Sequence, residues 1–135
     1  MKILDIDNGF QEITEEGYFI SSHYWILLHA DEIEKVKDFV DIDRDSIEEC
    51  KSFSQVSKIN FFNGYIFIIL NVLSYVEEIV IPKELNVFLS RNYIITIYKD
   101  KIDILDDLIQ DIYDLKNCFV LKDNPRASIL LYYIL

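Results

Sequence analysis

Asp41, Asp43, Asp45, Glu48 and Glu49 place five carboxylates within nine residues, denser than any other acidic stretch of this chain. Hard cations such as magnesium choose carboxylate oxygens and keep much of their own water. One or two carboxylates therefore suffice when another subunit completes the shell. Like charges packed this closely repel, and a bound divalent ion relieves that repulsion. The same residues also read as a solvated acidic helix face, and the residue types alone leave both readings open. Asp103, Asp107, Asp111 and Asp114 recur along one side of a helical pattern, where they attract divalent ions diffusely or simply face water. Glu15-Glu16 and Glu77-Glu78 fall at turns and read as solvated.

His23 and His29 invite a metal-site reading that geometry rejects. In one strand six residues span roughly 20 Å at about 3.3 Å each, too far to share an ion. The chain holds no Cys-x-x-Cys, His-Glu-x-x-His, Gly-x-Ser-x-Gly or glycine-rich phosphate loop. With 3 glycines in total, a backbone cradle for a nucleotide is not expected. No catalytic residue is assigned, and the expectation is a protein that is not an enzyme. Cys50 and Cys118 sit in no ligand spacing, and without a leader at Met1 to Asp5 they read as free thiols of a reducing compartment.

The net charge of −11 argues against nucleic acid, whose binding depends on clustered Lys and Arg that release counterions. It argues equally against an anionic membrane surface, and it favours cations as partners or solubility through self-repulsion. A length of 135 residues suits one domain with a real core, and 51% hydrophobic content with 14% aromatics excludes disorder. The longest apolar run, Tyr65 to Val76, is 12 residues and is interrupted by Asn71 and Ser74. A membrane-spanning helix needs about 20.

The elements that must position these groups follow from periodicity. Lys2–Ile6 and Phe10–Thr14 read as a strand pair about Asn8-Gly9, and His23–His29 as a strand buried on both faces. A helix starts at Ala30-Asp31, with Asp31 and Glu34 at capping-box spacing and Ile33, Val36 and Val40 as its buried stripe. Asp43 caps a short helix that buries Ile47 and Cys50. Lys58–Phe62 and Tyr65–Tyr75 form a hairpin about Asn63-Gly64, the pair suited to the two positive-φ positions of a tight turn. Leu85, Val87 and Leu89 alternate with Asn86, Phe88 and Ser90, Arg91-Asn92 turns the chain, and Tyr93–Tyr98 returns. Asp100 caps a helix from Lys101 to Lys116 carrying Ile102, Leu105, Ile109 and Ile112. The expected class is α/β, a mixed and largely antiparallel central sheet flanked by helices.

In this order the elements resemble the amino-terminal cytoplasmic domain of CorA-type magnesium transport proteins, from about Tyr24 to Leu131. Tyr24-Trp25-Ile26-Leu27-Leu28 is similar to the family's tryptophan-bearing strand, and Asp31 to Val36 to the helix after it. Ile47-Glu48-Glu49 occupies the place of its leucine-glutamate-aspartate helix. Lys58 stands at the lysine of Arg-Pro-Lys, and Phe62 with Tyr65 to Leu70 matches the aromatic strand that follows. Leu85 to Ile97 resembles the next strand pair, while Arg126 and Leu130-Leu131-Tyr132 resemble the entry to the long stalk helix. Val56-Ser57 replaces Arg-Pro, and Glu49 replaces an aspartate, which keeps the charge and moves it by one methylene.

The resemblance implies residues 1–124 as the cytoplasmic domain and 125–135 as the start of a truncated stalk helix, and the seven apolar residues Ile129 to Leu135 suit such a cut end. It implies a metal-sensing domain of a divalent-cation (magnesium or cobalt) transport protein at the cytoplasmic face of the membrane. The membrane is reached only through a C-terminal part. Such a protein is a pentamer in which regulatory Mg2+ bound between subunits, here through Glu48 and Glu49, holds the pore shut. The stalk, the transmembrane helices and the glycine-methionine-asparagine pore signature are absent from this sequence. The alternative is a stand-alone interaction or ligand-binding domain of the same fold, with a metal-dependent hydrolase on the acidic helices last.

Overall fold

A computed structural model describes residues 1–17, 22–52, 56–100, 102–113 and 127–134. Lys101, Asp114, Lys116, Cys118, Arg126 and Leu135, singled out above, lie outside the described residues, as does the boundary at 124/125.

Strands β1 (Lys2–Asp5), β2 (Gln11–Ile13), β3 (Tyr24–His29), β4 (Lys58–Phe61), β5 (Ile66–Val76), β6 (Ile79–Leu89) and β7 (Tyr93–Tyr98) form one sheet. Its order is β2-β1-β3-β7-β6-β5-β4. Only β3 and β7 pair in parallel, at the centre, with Trp25 beside Ile94 and Leu28 beside Ile97. Every other pair is antiparallel. The mixed, largely antiparallel sheet read from the sequence is the sheet observed.

Alternation along each strand sends side chains to two helical layers. On one side Trp25, Leu85, Val87 and Ile94 meet α2 (Asp103–Tyr113) and α3 (Ala127–Ile134). On the other, Ile26, Leu28, Phe67 and Phe88 meet a 3-10 helix (Ala30–Asp38) and α1 (Arg44–Ser52). Each fully buried Ile, Leu or Phe contributes about 1.5–3 kcal/mol relative to exposure. Trp25 can be wholly buried because its indole N–H donates to Thr96 Oγ1 at 3.0 Å. Asn86 on β6 is the contrary case: it is fully buried, and its side-chain amide makes no hydrogen bond.

The apolar run of α3 is docked on this core, with Ala127, Leu130 and Ile134 buried and Ile129 and Leu131 packed against the same cluster. Among the described residues no helix is long and apolar enough to cross a membrane.

Several local expectations need correction. The segment after β3 is a 3-10 helix, and its capping box is formed by His29 and Glu32. His29 Nδ1 accepts the Asp31 N–H at 3.2 Å, and Glu32 Oε1 accepts the His29 N–H at 3.2 Å. Asp31 and Glu34, placed in that role by spacing, do not form it: Asp31 is exposed, and Glu34 turns to Lys37, Arg44 and Lys51. A hydrogen-bonding side chain directly at the strand end reaches the first free N–H groups sooner than one placed two residues later. Helix α2 begins at Asp103, so its entry is shaped by Ile102, whose carbonyl accepts the Leu105 N–H at 3.1 Å, and Asp100 is too early to cap it.

The hairpin of β4 and β5 is present, paired from Lys58↔Ile69 to Phe61↔Ile66. At its tip only Gly64 has positive φ (94°), and Asn63 does not. The two-residue turn with both residues at positive φ is the next one, Glu77 (49°) and Glu78 (65°), between β5 and β6. Eleven consecutive pairs ending at Val76↔Ile79 leave two residues to reverse the chain, and a strand twist that favours this turn overrides the glutamates' own preference.

Candidate functional site: the acidic helix and its cations

Helix α1 is held from beneath by the β4–β5 hairpin. Ile47 and Cys50 are completely buried against the sheet, and burial pushes the Cys50 thiol pKa far up, so it stays protonated and inert. The Tyr65 hydroxyl, just past the hairpin tip, accepts the Asp43 N–H at 3.2 Å and lies 3.1 Å from Ser46 Oγ. It thereby satisfies a free donor at the start of α1. Its ring stacks on Phe62 at 4.8 Å and meets Phe88 edge-on at 5.7 Å. The aromatic character of this hairpin is therefore what sets the position of the acidic helix.

The five carboxylates do not converge. Asp41, Asp43 and Asp45 are exposed around the N-terminus of α1. Glu48 lies 2.5 Å from Arg44 Nη2 and 3.4 Å from Lys51 Nζ. Glu49, about two-thirds buried, is met by Lys58 Nζ at 2.9 Å from each carboxylate oxygen. Adjacent helical residues point about 100° apart, so one ion cannot be chelated by both side chains of this pair. Among the described residues no three His, Cys, Asp or Glu side chains come together as a metal site. Within one chain, Glu48 and Glu49 can each offer a single carboxylate to an ion whose remaining ligands come from elsewhere. A cation of the protein's own already stands at each.

Periodicity did not reveal the hub of this network. Glu34, on the 3-10 helix, contacts Lys37 at 2.8 Å, Arg44 at 3.0 Å and Lys51. Lys37 and the two α1 cations hold its carboxyl far below the usual carboxylate range, and Glu34 in turn raises the pKa of Arg44 and Lys51. The available signal was charge order: Glu34, Arg44, Glu48 and Lys51 alternate in sign across two consecutive helices. A second ion pair fixes the same layer to the chain start. The Met1 ammonium lies 2.5 Å from Glu32 Oε2, and this contact, with the His29 N–H and Lys35, lowers the Glu32 pKa to about 2.

The histidines sit apart, as their spacing required. His23 Nδ1 is 3.1 Å from the Asp7 carboxylate. His29 Nε2 is 2.9 Å from the Lys99 carbonyl, while its Nδ1 accepts the Asp31 N–H. Both nitrogens of His29 are thus committed to backbone, which suits a structural cap. On α2, Asp103 and Asp107 are exposed and Asp111 is half-buried.

No curated protein matches the chain by sequence. Among solved structures it is similar to the complete CorA magnesium transporter from Methanocaldococcus jannaschii, with a TM-score of 0.75, 18% identity, and coverage of 98% of this chain and 42% of that one. The soluble domain of the same CorA gives 0.73 at 18% identity, covering 98% and 53%. The cytoplasmic domain of ZntB from Vibrio parahaemolyticus gives 0.76 at 11% identity, covering 99% and 55%. The chain thus spans about half the length of these structures, and at such identities the likeness is one of fold. The family described as CorA-like Mg2+ transporter protein matches residues 21–135, nearly the whole chain. The chain belongs to the CorA-like Mg2+ transporter family.

Proposed function

We propose that this chain is the cytoplasmic regulatory domain of a CorA-like divalent-cation transport protein. In this reading it senses Mg2+ through Glu48 and Glu49 of α1, each offering one carboxylate. The observation that carries the reading is the family match over residues 21–135, together with a three-layer fold like that of the CorA soluble domain. The complete protein is a pentamer anchored in the membrane by residues outside this chain, with the domain on the cytoplasmic side. An ion between neighbouring domains stabilises the closed arrangement and its loss lets the subunits separate, a population shift driven by differential affinity. The Lys58–Glu49 and Arg44–Glu48–Lys51 contacts support a competitive form of sensing. Without the ion, the protein's own cations neutralise the two carboxylates; with it, a neighbouring subunit and Mg2+ replace them.

The test is the melting temperature of the full-length protein at increasing Mg2+. A ligand specific for the folded assembly raises it by mass action. Glu48→Gln with Glu49→Gln is expected to abolish most of the gain, and Lys58→Met, which frees Glu49, to move the response to lower Mg2+. An undiminished gain in the double variant removes these carboxylates from the site.

A further inference from the structure

Nine large apolar side chains stand exposed among the described residues, and all but Tyr113 belong to β4, the residue Val56 before it, or the β5–β6 ribbon. Two lie on β4 itself: Ile59 is 57% exposed and Phe61 is 78%. This strand forms one edge of the sheet. In an antiparallel pair, opposed residues alternate between those that exchange hydrogen bonds and those that do not. The Phe62 N–H donates to the Tyr65 carbonyl at the hairpin tip. With Phe61↔Ile66, Asn60↔Phe67 and Ile59↔Ile68 in register, Asn60 bonds inward to β5. Ile59 and Phe61 therefore direct their N–H and C=O groups outward, at the two positions whose side chains are most exposed.

We propose that this edge receives the β4 strand of a second copy of the chain, antiparallel about a two-fold axis at Asn60, so that Ile59 of each copy faces Phe61 of the other. The outward-facing residues are two apart and symmetric about Asn60. Both cross-pairs therefore fall in the hydrogen-bonded class, and one register satisfies four backbone groups on each copy. Both side chains lie on the α2–α3 side, where they form apolar cross-strand pairs. The net charge of −11 opposes association in general. On β4, however, the single charged side chain is Lys58, and it is turned to the other face and held by Glu49. The contact brings no like charges together at the strand. The opposite edge is built differently: β2 reads Gln11-Glu12-Ile13, with Gln11 and Glu12 exposed, which is how natural sheets blunt an edge. Two four-residue strands bury an area at the low end of specific interfaces, so the dimer forms with concentration rather than being permanent. The inference concerns the β4 edge alone and does not depend on the transport reading. Being two-fold, the contact cannot relate neighbours within a five-membered ring, and in a pentamer it joins separate rings.

Sedimentation of this chain from roughly 10 to 500 µM, a range suited to a small interface, is expected to show a monomer–dimer equilibrium. Ile59→Lys with Phe61→Lys is expected to weaken the dimer at least about tenfold by charging the edge. Its melting temperature should stay near that of the parent, because both sites are exposed. In a Cys118→Ser background, Asn60→Cys is expected to cross-link across the axis under mild oxidation. A non-hydrogen-bonded pair brings Cα atoms to about 4.5 Å, within disulfide range. Asn71→Cys, exposed on the ribbon, is the control expected to stay uncoupled. A chain monomeric throughout the range, a dimer indifferent to the paired lysines, or equal cross-linking at Asn71 overturns the proposal.

Discussion

The two faces of the sheet solve the same packing problem in different ways. The face under α2 and α3 is apolar, and its buried polar group, Thr96, is bonded to Trp25. The face under α1 and the 3-10 helix is laced with polar chemistry: Lys58 reaches up to Glu49, Tyr65 and Ser46 pair at the helix start, and Asn86 lies buried without a bond. Buried ion pairs are frequently no better than apolar residues of similar volume, and an unbonded buried amide costs stability outright. The difference puts the polar groups that cost stability on the α1 side, the side that carries the proposed ion-sensing carboxylates.

The largest effects should come from treating the faces as separate layers. Ile47→Ala on α1 and Leu130→Ala on α3 each remove a fully buried side chain, and each is expected to cost about 2–5 kcal/mol by urea denaturation. Ile47 and Leu130 belong to different clusters with the sheet between them. The double variant should therefore equal the sum to within about 0.5 kcal/mol. Coupling well above that would mean the faces communicate through the sheet, and the comparison would fail.

Asn86→Val sharpens the same contrast in the opposite direction. Valine suits a central strand, and the substitution removes both unbonded amide atoms. We expect a gain of about 1–2 kcal/mol, since an unsatisfied buried polar group costs about that much. Loss of stability instead would show that the amide has a role in the folded domain.

Much of the layout was legible because local pattern and tertiary demand agree. Asn63-Gly64 marks a hairpin whichever of its residues takes positive φ, and His23 to His29 has no polar face that could point to water. Where they disagree, the pattern misleads. Glu77-Glu78 reads as a turn and is one, but nothing in two glutamates announces positive φ, which the β5–β6 register imposes. His29 caps a helix although Ser, Thr, Asp and Asn are the usual residues there, so Asp31 drew the assignment. At the site, spacing exposes acid density but not countercharge. Lys58 meets Glu49 only because α1 lies across β4, a fact of packing rather than of sequence distance.

Acid sensitivity should reside on the α1 side too. The Glu32 pKa is lowered from 4.5 to about 2, first by its hydrogen bond to the Met1 ammonium, so the folded state holds it ionised more strongly than the unfolded chain. A depressed carboxyl contributes stability that is fully present above its unfolded value and lost as pH falls through the folded one. The loss attributable to Glu32 should therefore run from about pH 4.5 down to about 2. Chemical denaturation at stepped pH should show a shallower decline over that window for Glu32→Gln, from a lower starting stability at pH 6. An unchanged slope would place the acid sensitivity elsewhere.

The smallest expected effect lies on the other face. Among the described residues, α2 has no basic residue in its last turn, and Asp111 sits there, where the helix dipole presents its negative end. Its charge is therefore unfavourable, unlike that of Glu48 or Glu49, which cations meet at close range. Asp111→Asn should raise stability by about 0.3–1 kcal/mol at low ionic strength, and salt should erase most of the gain. If the variant is instead less stable at low salt, Asp111 is held by a favourable partner and the acids of α2 are not a passive solvated face. The electrostatic contrast between the two helical layers would then have to be abandoned, even if their packing still behaved as separate.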